Sequence, residues 1–433
     1  MNVELINTGS ELLLGRTLNT HQQWLCRRLS DHGYLVARQV CVPDTGTSIQ
    51  QAVREALDRA DIIIVTGGLG PTSDDITREL IADLFQKPLR QDPAIVAGLR
   101  EFFARRNRPM AESNLVQAMV PEGAIVLPNP NGTAPGLAMK VEAGGSKIED
   151  GTGANTPSSI LHPRSPRWLI MLPGPPRELH PMFTNHVLPL LQREMPTETF
   201  ICRTLRTTGL GESALQEMIA APLSQLVSAG LQLGYCARPG EVDVRLAARG
   251  PAANRIVGEA ADIVQDLLAK FIFAEEDDEL ETVIVRTLTA GRLTLALAES
   301  CTGGCIAHRI TNVPGASAVL LAGIVTYANV AKTKFVGVRP ETLAAHGAVS
   351  EAVCREMAEG VRRETGADFS IAVTGIAGPT GGSPEKPVGT VFIGVSSSSG
   401  TVVSKNLNRY EREAFKQITA QQALELLRRS ITG

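Results

Sequence analysis

The sequence predicts two α/β domains joined by a small α+β unit, the first domain being a doubly wound, mostly parallel sheet. Strand-like and helix-like runs alternate from residue 1 to about 180 and again from about 282. In both stretches a glycine-rich loop follows a strand-like run, at "TGGLGPT" and at "TGIAGPTGG". Residues 200–273 between them read as a small α+β unit. At 433 residues the chain is long enough for two or three separate cores. We place the domains at 1–180, 181–273 and 274–433.

In the first domain "VELINT" is a short apolar strand, and Asn19 or Thr20 can cap a helix reaching about Leu29. "LVARQVCV" is strand-like, residues 48–60 carry helical spacing, and "DIIIVT" is a buried strand. "DDITRELIADLF" reads as the next helix, and strands are expected near Gly136–Val141 and Trp168–Leu172. Residues 141–166 are rich in Gly, Ser and Pro without apolar period, as expected of a flexible surface loop. The small unit offers strands at "TFICRTLRT", "LQLGYCAR" and "EVDVRLAARG", with helices from Glu212 and Ala253. The third domain opens with a helix at 282–290 and strand "LTLALAE", then "ESCTGG" turns into "CIAHRIT". Strand "VLLAGIVTY", a helix capped by Ser350, strand "FSIAVTG", two further strands and a last helix complete it.

Composition narrows the function classes. With 43% apolar and 20% charged residues the balance is that of an ordinary globular protein. A net charge of −3 offers no basic field for a phosphate backbone, so nucleic acid is not an expected partner. Glu4 interrupts any signal-peptide core, and the most apolar stretch, 316–331, contains Thr326, Tyr327 and Asn329, so no membrane segment is expected. Seven scattered cysteines without a C-x-x-C pair suit neither a disulfide framework nor a zinc site; a reducing cytoplasm is expected.

The first glycine loop has the makings of an anion site. Gly67, Gly68 and Gly70 let backbone amides approach a phosphate, and the following helix aims its positive end there. Asp74 and Asp75 open that helix in this reading; either Ser73 or Asp74 can serve as its cap. Two adjacent carboxylates would repel a phosphate unless a cation bridged them, which points to a divalent metal such as Mg²⁺. Glu11 and Asp44 also follow strands and can face the same cleft.

The third domain carries a metal-free alternative. No His lies near Ser300 along the chain, so a Ser–His pair is not indicated. Tyr327 ends a strand and Lys332 lies one turn into the next helix. A desolvated Lys loses its proton near neutral pH and can accept one from Ser, while a Tyr hydroxyl can relay it or support an oxyanion. The amides of Cys301, Thr302 and Gly303 are the expected oxyanion donors. The residues alone leave open the plainer roles of cap for Ser300 or Thr302 and solvated helix residue for Lys332. Cys301 is a rival nucleophile without a visible partner to lower its pKa.

Eight ordered motifs carry a family resemblance: "TGSELLLG", "TGGLGPTSDDITRE", "NPNGTAPG", "MLPGPPREL", "AESCTGG", "GIVTYAN", "HGAVSE" and "TGIAGPTGG" with "KPVGTV". Together they span nearly the whole chain, which resembles the CinA (competence/damage-inducible) family. The resemblance implies a first domain like those of molybdenum-cofactor biosynthesis, associated with metal-dependent ADP-ribose pyrophosphatase activity. Its alternative is a non-catalytic molybdopterin- or nucleotide-binding module. It further implies a KH-like middle unit and a C-terminal nicotinamide mononucleotide (NMN) deamidase that needs no cofactor, with Ser300 as nucleophile and Tyr327 and Lys332 as partners. Gly304 and Asn329 join the substrate-binding set, and "TGIAGPTGG" becomes a cradle through Thr374, Gly375, Gly378, Thr380 and Gly381. A homodimer is the family-level expectation. His21 stands where the resemblance leads one to expect Asn, and the middle unit has no basic G-x-x-G loop for RNA.

Overall fold

A computed structural model describes residues 1–141, 167–276 and 278–432. The segment expected as a surface loop lies, from residue 142 to 166, outside them. The chain divides into two compact units, Met1–Ile201 and Cys202–Gly433.

The first unit holds a six-stranded sheet in the order Leu35–Val42, Asn2–Thr8, Ile62–Thr66, Arg167–Leu172, Gly136–Val141, Ile125–Leu127. The first four strands are parallel to one another, and Gly136–Val141 runs antiparallel to both its neighbours. Ile62–Thr66 is buried throughout, as a strand covered on both faces must be. Alternate side chains divide between two cores. Ile62 and Ile64 pack with Leu25, Leu179 and Phe183, whereas Ile63 and Val65 pack with Val53 and Ile81. Helices on both faces of a mostly parallel sheet make the doubly wound fold that the alternating runs predict.

The helix after the first glycine loop begins later than the sequence suggests. It spans Thr77–Leu84, with Ile76 at its N-cap and no side-chain cap. The Thr77 amide donates instead to the Gly68 carbonyl, so the loop folds back onto the helix start and leaves Asp74 and Asp75 in the preceding turn.

The second unit contains two sheets. The smaller has the order Gln232–Arg238, Glu241–Arg249, Phe200–Thr208, Ile272–Glu275, with the long helices Glu212–Ser228 and Ala253–Leu268. The larger has the order Leu320–Val325, Leu295–Glu299, Phe369–Gly375, Thr390–Ser397, Gly400–Leu407. Its first three strands are parallel and its last two antiparallel. Leu295–Glu299 is buried along its length between two parallel partners. The chain therefore leaves its carboxyl end at Ser300 flanked by the ends of two neighbouring strands, the position where open α/β sheets place ligands. Among the described residues no helix is long and apolar enough to cross a membrane.

Candidate active sites

At Ser300 the strand turns sharply into the helix Cys305–Thr311 through Gly303 and Gly304, both at positive φ (60° and 95°). This is backbone that a β-carbon disfavours, which accounts for the paired glycines of "CTGG". Glu299, 1% exposed, locks the turn from behind. Its carboxylate accepts from the amides of Gly304 (3.0 Å), Ile306 (3.2 Å) and Ala307 (2.8 Å). The positive end of the helix is thus occupied by Glu299, with the favourable sign for its dipole.

Lys332, also 1% exposed, enters from the fourth residue of the helix Asn329–Val336. Its Nζ lies 3.1 Å from Ser300 Oγ, 2.7 Å from the Thr326 carbonyl and 3.3 Å from the Tyr327 carbonyl. Carbonyls only accept, so they take two N–H donors, and the third position of a tetrahedral amine faces the serine hydroxyl. Burial holds the Lys332 amine below the ordinary lysine range, and no carboxylate shares its hydrogen bonds to oppose that shift. A neutral amine with its lone pair on Ser300 Oγ satisfies every group present. Cys301 is buried and its thiol is pushed up to about 12, chiefly by that burial, so it stays protonated and unreactive at neutral pH.

Ser300, Cys301, Tyr327, Asn329, Lys332, Thr374 and Gly375 line one cavity of about 210 Å³, together with Ala348, Val349, Ala377 and Arg412. The other expected contacts stand differently. The Gly303 amide donates to the Ser300 carbonyl, and of the other two expected donors only Cys301 belongs to a residue that lines the cavity. The Thr302 hydroxyl is fully buried without a partner and does not line the cavity. Thr374 Oγ1 is spent on the Ala348 carbonyl, and Thr380 and Gly381 lie outside the cavity lining. The Tyr327 hydroxyl points not at Ser300 but at Arg412, from which it accepts at 2.6 Å. Arg412 also donates to the Gly378 carbonyl at 2.8 Å, tying the "TGIAGPTGG" loop to the cavity mouth. Arg412 is the residue that sequence reasoning missed: it lies 85 positions beyond Tyr327 in a polar run with no motif around it.

The first unit gathers Glu11, Asp44, Gly67, Gly68, Gly70, Asp74 and Asp75 around a cavity of about 380 Å³. Gln117, Thr133 and Glu178 complete it, the last two from the "NPNGTAPG" and "MLPGPPREL" runs. Gly68 is required by packing within the loop, since it sits at positive φ and a β-carbon there would collide with Thr77. Five carboxylates line the cavity with no Lys, Arg or His. Several are already engaged. Asp44 accepts from the Ser10 amide (2.8 Å), Asp75 from the Thr72 amide (3.0 Å) and hydroxyl, and Glu178 from Asn129 Nδ2 (2.8 Å). Among the described residues no group of three or more His, Cys, Asp or Glu converges as a metal cage. All-oxygen donors suit a hard cation, and Mg²⁺ needs only one or two carboxylates when phosphates and water supply the rest, so Asp74 and Asp75 fit such an ion. His21 does not line this cleft. It packs edge-on against His180 (6.4 Å between centroids), and burial lowers the pKa of both rings.

A doubly wound α/β unit followed by an α+β unit and a Ser–Lys α/β unit defines a specific class of multidomain protein. Family models match all three parts: "Probable molybdopterin binding domain" over residues 4–193, "Damage-inducible protein CinA KH domain" over 202–274 and "CinA C-terminal domain" over 277–431. A CinA-like protein of Akkermansia muciniphila is 46% identical over 98% of this chain and 96% of its own length. A competence-damage inducible protein of Moorella thermoacetica is 43% identical over 100% of this chain and 99% of its own. The solved competence/damage inducible protein CihA of Agrobacterium tumefaciens is 40% identical, covering 36% of this chain and 94% of that one with a TM-score of 0.35. The chain belongs to the CinA family.

Proposed function

We propose that the second unit hydrolyses the carboxamide of NMN to the carboxylate and ammonia through an acyl-enzyme on Ser300. The observation that carries this reading is the buried Lys332 amine 3.1 Å from Ser300 Oγ with no acid on it. Lys332 takes the hydroxyl proton as Oγ attacks the amide carbon. The Cys301 amide is the donor for the oxyanion. As the C–N bond breaks, the Lys332 ammonium returns its proton to the leaving nitrogen and ammonia departs. Water then attacks the ester, Lys332 accepting its proton, and as the Oγ–C bond breaks the Lys332 ammonium returns that proton to Ser300 Oγ and frees the acid. Arg412 at the cavity mouth is the cation for the 5′-phosphate of the substrate. Ammonia and nicotinate mononucleotide formed from NMN by the purified protein test this; a protein that binds NMN without releasing ammonia would overturn it.

For the first unit we propose metal-dependent cleavage of the ADP-ribose pyrophosphate. A cation held by Asp74 and Asp75 would neutralise the phosphates and polarise the bond to be broken. The glycine-loop amides then orient the pyrophosphate, and Glu178 lies in reach of a water in the same cavity. Five carboxylates in a lining that holds no Lys, Arg or His favour this over a bare anion site. Divalent-metal-dependent AMP formation from ADP-ribose is the test, and binding without turnover for every metal would favour a binding module.

A further inference from the structure

The first unit has a second, larger cavity, of about 820 Å³, that the metal and phosphate reading leaves unused. It lies between the helix Pro93–Ala104 and the proline-rich loop at 128–135. Thr133 lines both this cavity and the acidic cleft. Asn129, in the same wall, donates to Glu178 in the cleft and to the Ala134 carbonyl. The two spaces therefore share one wall.

Their chemistries are complementary. The acidic cleft has no aromatic side chain in its lining, so it offers no flat face to a base. In the larger cavity Arg106 lies over the Phe102 ring, 3.6 Å from its centroid, with Ile95 and Leu99 beside it. Pro128, Pro130 and Pro135 form the opposite wall. An aromatic ring capped by a guanidinium and faced by proline rings is the surface on which nucleobases stack. At the junction, Gln117 is 1% exposed; its Nε2 donates to Thr133 Oγ1 (3.1 Å) and its Oε1 is buried without a partner. Buried acceptors are rarely left unpaired, and a sugar hydroxyl passing between the cavities would satisfy this one.

We propose that this cavity is the base subsite for a nucleotide whose phosphates occupy the acidic cleft, with Gln117 Oε1 taking a ribose hydroxyl. The proposal rests on the cleft being a phosphate site but not on its catalysing hydrolysis.

Gly98 supplies the test. It sits in mid-helix on the cavity wall, and a β-carbon there meets no atom within 4 Å. Gly98→Leu therefore projects an apolar side chain into the cavity from a position with room for its β-carbon, and it suits a helix better than glycine does. Calorimetry with Mg²⁺ present, comparing AMP with ribose 5-phosphate, reads the base contribution directly. Wild type should bind AMP at least tenfold more tightly, and Gly98→Leu should abolish that preference while leaving ribose 5-phosphate affinity within twofold. Phe102→Ala should reduce the preference severalfold. Equal affinity for the two ligands in wild type, or an AMP preference that survives Gly98→Leu, would overturn the proposal. A change of sedimentation in Gly98→Leu with AMP affinity intact would overturn it in favour of contact between copies. Turnover of ADP-ribose is scored separately: AMP formation with an unaffected Gly98→Leu variant refutes the subsite alone. A base preference without turnover refutes the hydrolase reading alone.

Discussion

The Ser300 site and the acidic cleft both stand at the carboxyl ends of parallel strands behind glycine turns, yet they are assembled to different degrees. Around Ser300 the reacting groups and their supports are paired within the protein: the nucleophile with Lys332, Lys332 with two carbonyls, Glu299 with three amides. In the cleft the carboxylates are tied to nearby groups, Asp75 to Thr72, Asp44 to Ser10, and Glu178 to Asn129 and, at 3.7 Å, to the guanidinium of Arg177 outside the lining. A site that acts through a desolvated amine must be finished by folding, since the amine's pKa is set by what surrounds it. A site of hard oxygen donors can wait for its ion, because like charges held together without one oppose folding.

Removing Ser300 should break this comparison most sharply. Ser300→Ala is expected to lower kcat for ammonia release by about 10³-fold or more, and to leave metal-dependent AMP formation unchanged. Cys301→Ala should stay within about threefold, because the protonated thiol contributes packing only. If the alanine at 301 were the inactive variant, the nucleophile would be misassigned.

Lys332→Met should follow, with a loss of about 10²- to 10⁴-fold, the usual range for a proton-transfer group. The pH profile gives the sign. The folded protein holds Lys332 below the ordinary 10.5, and only the neutral amine accepts the Ser300 proton. Ammonia release in wild type should therefore rise with pH through a pKa lower than 10.5 and level off above it. A pH-independent rate in wild type would remove Lys332 from the role of base.

Asp75→Asn comes next, with an expected loss of about 10²-fold in metal-dependent turnover and none in ammonia release. Isothermal titration with Mg²⁺ should show the weakened ion directly. Undiminished metal binding in Asp74→Asn and Asp75→Asn together would move the ion to other carboxylates of the cleft.

How much of this was legible in the sequence follows from the same contrast. Ser300, Tyr327 and Lys332 stood out as residues at strand ends and a helix start, but the residues alone left plainer roles open, and it was the family resemblance carried by the motifs around them that singled them out. The unbroken apolar run 62–65 announced a buried strand, and the structure buries it on both faces. What the sequence could not show was direction. Tyr327 was expected at the serine, but its hydroxyl turns to Arg412, and a lone arginine in a polar helix start has no pattern to betray it. Asp74 and Asp75 were expected to open a helix. The Thr77 amide closes onto Gly68 instead, a backbone choice that competes with capping and leaves no trace in composition. Gln117 escaped for the same reason: its burial and its unpaired oxygen exist only in three dimensions.

The smallest effect tests how finished the Ser300 site is. Thr302 Oγ1 is fully buried and unpartnered, the one exception to the pairing around the nucleophile. An unpaired buried hydroxyl costs about 1–3 kcal/mol, and valine replaces it with a methyl of the same shape. Thr302→Val should therefore melt no lower than wild type, and its kcat and KM for NMN should be unchanged, since Thr302 does not line the cavity. A lower melting temperature would mean that the hydroxyl has a partner in solution. A KM raised severalfold with unchanged melting would mean that it reaches the substrate, and the Ser300 site would then, like the cleft, be completed only by its ligand.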